Sequence, residues 1–248
     1  MHDYSPTPDY LKNRVILVTG AGDGIGRQAA LEYAAYGATV ILLGRTVKKL
    51  EAVYDEIVAA NGPEPAIVPM DLKGATVKHY QDMAVTIEQQ FGALHGILHN
   101  ASLLGHLSPF KEIQENEYND IMRVNVHADF FMTQALLPVL LKADNASVIF
   151  TSSGVGSKGR AFWGSYAISK FATEGMMQVI ADEYDNSTLR FNCINPGKTR
   201  TAMRASAYPA EDPLTLRTPE EIMGVYHYLM SDDSVNVTGQ TLKAQPDK

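Results

Sequence analysis

The chain lacks most of what would tie it to a metal, a membrane or a nucleic acid. Its 248 residues include one cysteine, Cys193, so neither an intramolecular disulfide nor a multi-cysteine metal site can form. Cys193 stands in an apolar, strand-like stretch beside Ile194, which points to core packing. The seven histidines show no ligand spacing, His106 reads as a loop residue, and no metal is expected. There is no lysine or arginine run, and a net charge of −7 works against binding along a phosphate backbone, so no nucleic-acid partner is expected. Residues 1–12, MHDYSPTPDYLK, carry two prolines and no apolar run, and read as a surface arm rather than a signal peptide. The resulting expectation is a cytoplasmic protein with no membrane partner.

Enough apolar material is present for one large core: hydrophobic residues make up 45% and charged residues 20%. The length suits a single α/β domain, residues 13–248. Seven short apolar runs recur between longer amphipathic stretches: Val15 to Thr19, Thr39 to Leu43, Ala66 to Met70, Leu94 to His99, Ser147 to Ser152, Leu189 to Ile194 and Gly239 to Ala244. Runs of this kind suit strands buried on both faces. Right-handed crossovers then give a doubly wound, Rossmann-type parallel sheet of seven strands with helices on both faces. One long irregular piece, about 200–219, contains three prolines and reads as a mobile substrate flap.

Directly after the first run comes Thr19-Gly20-Ala21-Gly22-Asp23-Gly24-Ile25-Gly26, opening a helix expected from about Arg27 to Tyr36. Glycines allow a sharp turn and close approach of backbone to a pyrophosphate, and the free amides of the following helix attract its charge. Gly20, Gly22, Asp23, Gly24, Ile25 and Gly26 are therefore candidate dinucleotide contacts. The second run ends at Leu43-Gly44-Arg45, where an acidic residue would accept the adenosine ribose hydroxyls. Arg45 favours NADP(H) over NAD(H), although Asp23 in the nearby turn works against a phosphate. Asp71, with Leu72 beside it, is placed either to accept from the adenine amine or to cap a helix.

Tyr166-Ala167-Ile168-Ser169-Lys170 puts a phenol and an ammonium four residues apart, on one helical face. A neighbouring cation favours phenolate, which would make Tyr166 a usable general acid/base near neutrality. Ser152 and Ser153 end the fifth run, facing the crevice where α/β sheets bind ligands, and alternation along a strand lets one of them serve. Ser153 is the candidate holder of the substrate oxygen, and Ser152 reads as a backbone-bonded structural hydroxyl.

These motifs resemble the short-chain dehydrogenase/reductase family, and the likeness runs along essentially the whole chain. TGAGDGIG is similar to its TGxxxGxG turn, His99-Asn100-Ala101-Ser102 to its NNAG strand end, and Tyr166 and Lys170 to its YxxxK, with Ser153 at the family's distance upstream. The stretches SDDS, KFATEGMMQVIADEY and NCINPGKTRTAMRASAYP look similar to the YciK-type bacterial oxidoreductases. The resemblance implies hydride transfer between a nicotinamide and a carbonyl or alcohol. It makes Tyr166 the proton carrier, Lys170 its tuner and ribose ligand, Ser153 the polariser of the substrate oxygen and Asn125 the holder of a linking water. Asn100 and Ala101 would lie at the ribose, and Pro196, Gly197, Thr199 and Thr201 along the nicotinamide side. A homodimer or homotetramer is also implied. Two departures stand out: His99 and Ser102 replace asparagine and glycine, and TGQTLKAQPDK lacks a usual glycine pair after the last strand.

The alternative reading is a catalytically weak dinucleotide-binding regulatory or scaffold protein of the same fold. Intact Ser153, Tyr166 and Lys170 favour an enzyme, since a sensor needs no acid/base phenol. A sugar-nucleotide epimerase would need a larger C-terminal substrate domain. The substrate stays open: Arg160, Arg204, Trp163 and Tyr208 read equally as a clamp for an acidic or aromatic substrate and as a solvated rim.

Overall fold

In a computed structural model describing residues 3–246, each of the seven apolar runs forms a strand. The expected N-terminal arm includes Met1 and His2, and the expected domain includes Asp247 and Lys248; these four lie outside the described residues. The strands are β1 (Val15–Thr19), β2 (Thr39–Gly44), β3 (Ala66–Pro69), β4 (Gly96–His99), β5 (Ala146–Thr151), β6 (Leu189–Asn195) and β7 (Thr241–Lys243). All pair in parallel, in the order β3-β2-β1-β4-β5-β6-β7. The order reverses direction between β1 and β4, which opens a crevice at the carboxyl ends of those strands.

Among the described residues, eight α-helices connect the strands: α1 (Gly24–Ala35), α2 (Val47–Ala59), α3 (Val77–Phe91), α4 (Glu115–Met122), α5 (Ala128–Leu140), α6 (Gly164–Glu183), α7 (Ala202–Ala207) and α8 (Met223–Met230). Strand alternation sorts the core into two layers. Ile16, Val18, Val40 and Leu42 pack under α1, α2 and α8, whereas Val15, Leu17, Ile41 and Leu43 pack under α3, α5 and α6. None of the helices is long and apolar enough to cross a membrane, among the described residues.

Three expectations change. α1 begins at Gly24 rather than near Arg27, because Asp23 is extended and the glycines themselves make the first turn. Residues 4–11 are not a free arm: Leu11 is fully buried in the core, and the Tyr10 hydroxyl meets His227 Nδ1 at 2.8 Å. The segment 200–219 is less irregular than its prolines suggest. Thr201 caps α7 by accepting from the Arg204 amide at 3.2 Å, and the Arg200 amide donates to the Arg217 carbonyl at 2.8 Å.

Candidate active site

A cavity of about 540 Å³ opens at the carboxyl ends of β1, β2, β4, β5 and β6. It is lined by Gly20, Gly22, Asp23, Gly24, Ile25, Arg45, Asp71, Leu72, Asn100 and Ala101 at one end. Ser153, Tyr166, Lys170, Pro196, Gly197, Thr199 and Thr201 line the other. Two expected residues, Gly26 and Asn125, do not line it and act from behind.

The glycine turn is fixed by close packing of backbone. A Cβ on Gly26 would stand 2.4 Å from the Gly20 carbonyl oxygen and 2.5 Å from Asn100 Nδ2, so only glycine lets α1 lie against β4. Gly20, at φ +67°, makes the turn itself. Asp23 gives α1 no side-chain cap, so the helix presents its first amides and its positive end to the cavity. The buried Ser102 hydroxyl, which lines the cavity, has no hydrogen-bond partner in the protein. A glycine cradle, an uncapped helix start and an unpaired hydroxyl fit a dinucleotide.

At the end of β2, Arg45 is exposed along the cavity wall. Asp23, whose charge counted against a 2′-phosphate, is ion-paired with the Lys49 ammonium. That hydrogen bond holds the Asp23 carboxyl below its usual range. The edge therefore offers Arg45 and a neutralised Lys49–Asp23 pair, and Lys49 is a lining residue the motif reading missed. Asp71 accepts from the Lys73 amide at 3.1 Å in a local turn, and the helix that follows is capped by Thr76, which removes the helix-cap reading of Asp71.

Tyr166 and Lys170 share the cavity-facing side of α6, with the ammonium 5.5 Å from the phenol ring centre. The expected lowering of the phenol is not what this arrangement produces. Burial pushes Tyr166 up to about 12, and the hydrogen bond with Ser153 pulls partly back. Lys170 donates to the Thr151 carbonyl at 2.7 Å, not to the phenol, and burial lowers its own value against the pull of Asp129, Cys193 and Glu174. Where both groups are desolvated together, burial prevails over attraction across the ring.

Ser153 stands just past β5, hydrogen-bonded to Tyr166. Ser152 points the other way, and its hydroxyl donates to the Glu174 carboxylate, not to backbone as expected. Glu174 is one turn beyond Lys170 on α6, is buried, and also accepts from the Thr241 hydroxyl on β7. Lys170 and Glu174 thus hold the end of β5 from α6. Sequence reading passed over Glu174, although its spacing from Tyr166 and Lys170 put it on the same helical face.

Asn125 lies in a π-helical turn, Arg123–His127, between α4 and α5. Its side-chain oxygen accepts from the Leu103 amide at 2.7 Å, and its nitrogen donates to the Leu103 carbonyl and to Ser169 Oγ. Those bonds tie the loop after β4 to α6, so the amide group is engaged by protein groups. The two departures from the family pattern find explanations. His99 faces away from the cavity, stacked at 4.9 Å on Phe150 and 3.2 Å from the buried Asp129. Gln245, after β7, donates to the Pro196 and Lys198 carbonyls at 2.9 and 3.0 Å, and so fixes the turn that carries Gly197 and Thr199.

Residues 14–212 match the family described as short chain dehydrogenase. The chain is 56% identical over 246 residues to the uncharacterized oxidoreductase YciK of Escherichia coli (strain K12), covering 99% of this chain and 97% of that protein. A short chain dehydrogenase from Shigella flexneri, solved in complex with NADP, has a TM-score of 0.95 and 56% identity, covering 97% of this chain and 100% of that one. A structure from Escherichia coli CFT073 in complex with NADPH has the same TM-score of 0.95, identity of 56% and coverages of 97% and 100%. With its seven-stranded parallel sheet and this match along nearly the whole sequence, the chain belongs to the short-chain dehydrogenase family and is an oxidoreductase of the YciK type.

Proposed function

We propose that the chain interconverts a carbonyl and an alcohol with NADP(H), and that Tyr166 carries the proton. The observation that carries this reading is the convergence of Ser153, Tyr166 and Lys170 on one end of the cavity whose other end is the glycine cradle. When bound, the nicotinamide supplies or accepts the hydride. The protein's part is geometry and proton management. Ser153 orients the substrate oxygen, Tyr166 donates its phenolic proton to that oxygen in reduction or takes one in oxidation, and Lys170 brings a positive charge beside the phenol. A phenol held at about 12 by burial stays protonated near neutrality, the form that donates in carbonyl reduction.

Arg45 at the β2 end and the neutralisation of Asp23 by Lys49 support NADP(H) over NAD(H), as do the nucleotides bound to the two relatives. Exposed Phe130 on α5 with Phe171 and Val179 on α6 supports a homodimer or homotetramer. The single cysteine and mild acidic charge suit the reducing cytoplasm. The test is a panel of ketones and aldehydes assayed with NADPH and NADH. At least one carbonyl should be reduced faster with NADPH, and Arg45→Ala should weaken NADPH by about tenfold while leaving NADH nearly unchanged. Equal losses for both nucleotides would remove the 2′-phosphate argument.

A further inference from the structure

Beyond the proton carriers, the cavity wall has a chemistry of its own. Trp163, Leu104 and Met203 pack with Val155 around Tyr166, the Trp163 ring centre lying 5.8 Å from that of the phenol. Besides Lys170, which donates to the Thr151 carbonyl, the charged side chain lining this end of the cavity among the described residues is Arg204. Its guanidinium is already committed: it donates twice to the Glu211 carboxylate, at 2.6 and 2.7 Å, and lies 3.8 Å over the Tyr208 ring. This pairing occupies the Nε and Nη2 edge and neutralises the guanidinium's charge, so a second carboxylate would meet a group with no net positive charge to offer.

The mouth continues the theme. Phe162, next to Trp163, is 59% exposed and sits at φ +73°, a conformation costly for a residue with a Cβ. Its carbonyl accepts from the Ser108 amide at 3.1 Å, which fixes it beside the stretch carrying Phe110, itself 78% exposed. Neither ring lines the cavity, but both hold apolar surface in water on the segments that flank the Trp163 wall.

Resting on the oxidoreductase reading above, we propose that the substrate is an uncharged, apolar carbonyl compound of ring size or larger. Its reacting carbon lies at Tyr166 and its apolar body between Trp163, Leu104 and Met203. An anionic group on that body would be desolvated against the Trp163, Leu104 and Met203 wall, where the guanidinium of Arg204 is already neutralised by Glu211. The reading of Arg204 as a clamp for an acidic substrate is set aside by its pairing with Glu211.

Trp163 is the chain's one tryptophan, so intrinsic tryptophan fluorescence reports on this wall directly. The experiment uses the full chain saturated with oxidised NADP, so that no reduction can occur, titrated with two ketones of nearly equal size. One is cyclohexanone bearing an isopropyl group opposite the carbonyl, and the other carries a carboxylate in its place. The isopropyl ketone should perturb the fluorescence with an apparent affinity at least about tenfold tighter than the carboxylate. Met203→Lys should reverse that order by supplying a free cation.

Equal affinities, a preference for the carboxylate, or no response to either ketone would overturn the proposal. Turnover of the same pair with NADPH tells this failure from failure of the oxidoreductase reading. Binding of the neutral ketone with no reduction of any carbonyl supports the substrate wall and removes the activity. Reduction that favours the carboxylate keeps the activity and removes the wall.

Discussion

The two ends of the cavity are built by different means. At the dinucleotide end, shape comes from backbone: Gly20 turns, Gly26 permits contact with the Gly20 carbonyl and Asn100, and α1 begins uncapped. At the substrate end, shape comes from side chains that meet from two loops and α7, with Leu104, Trp163 and Met203 around Tyr166 and Arg204 locked to Glu211. The first kind of site tolerates almost no added atom. The second can be remodelled one side chain at a time, which is how one fold serves many substrates.

The hardest blow to that contrast is Gly26→Ala. The new methyl must displace a backbone carbonyl, so unfolding free energy should fall by about 3 kcal/mol and NADPH binding should weaken severely. A denaturant titration showing less than about 1 kcal/mol of loss would mean the dinucleotide end is as adaptable as the other.

Next in size is Glu174, which is buried between the end of β5 and β7, outside the cavity lining. Glu174→Leu leaves the hydroxyls of Ser152 and Thr241 unpaired in a buried place, for an expected loss of about 2–3 kcal/mol. Glu174→Gln keeps one of these bonds and reverses the other, its amide nitrogen donating to a hydroxyl, and should lose less than half of that. Equal losses in thermal melts would show that shape, not hydrogen bonding, matters there.

Alkaline pH should cost a similar amount. Tyr166, raised to about 12 by burial from an ordinary 10.0, stays protonated in the fold at pH values where the unfolded chain has released that proton. The unfolded state then binds fewer protons, so this group's contribution to stability is level below pH 10 and falls between about 10 and 12, by about 2–3 kcal/mol. Tyr166→Phe should flatten part of that fall, and an unchanged slope would contradict the burial argument.

The smallest effect expected is at Gln245. Gln245→Ala removes the hydrogen bonds that hold the Pro196–Thr199 turn, for about 1 kcal/mol of stability and a several-fold rise in KM for NADPH. No change in KM would separate that turn from the dinucleotide end.

Legibility in the sequence followed the same division. All seven strands were visible because strands buried on both faces must be short and apolar, and the glycine turn was visible because only glycine meets its backbone demands. Tyr166, Lys170 and Ser153 were visible through helical and strand spacing. What the spacing could not show was the balance of burial against charge: proximity of Lys170 suggests a lowered phenol, yet desolvation raises it. Lys49, Glu174 and Gln245 were missed because each acts through a partner distant in sequence, namely Asp23, Ser152 with Thr241, and the Pro196 turn. Prolines mark turns without telling what the turns pack against, so residues 4–11 and the segment 200–219 are held more firmly than their composition suggests.

The central claim is that one phenol moves the proton while other groups hold the nucleotide. Steady-state turnover and NADPH titration, measured side by side on Tyr166→Phe, test it most directly. Turnover should drop by about a thousandfold with nucleotide affinity within about twofold of the parent chain. Turnover retained within about tenfold, on any carbonyl the parent chain reduces, would contradict it.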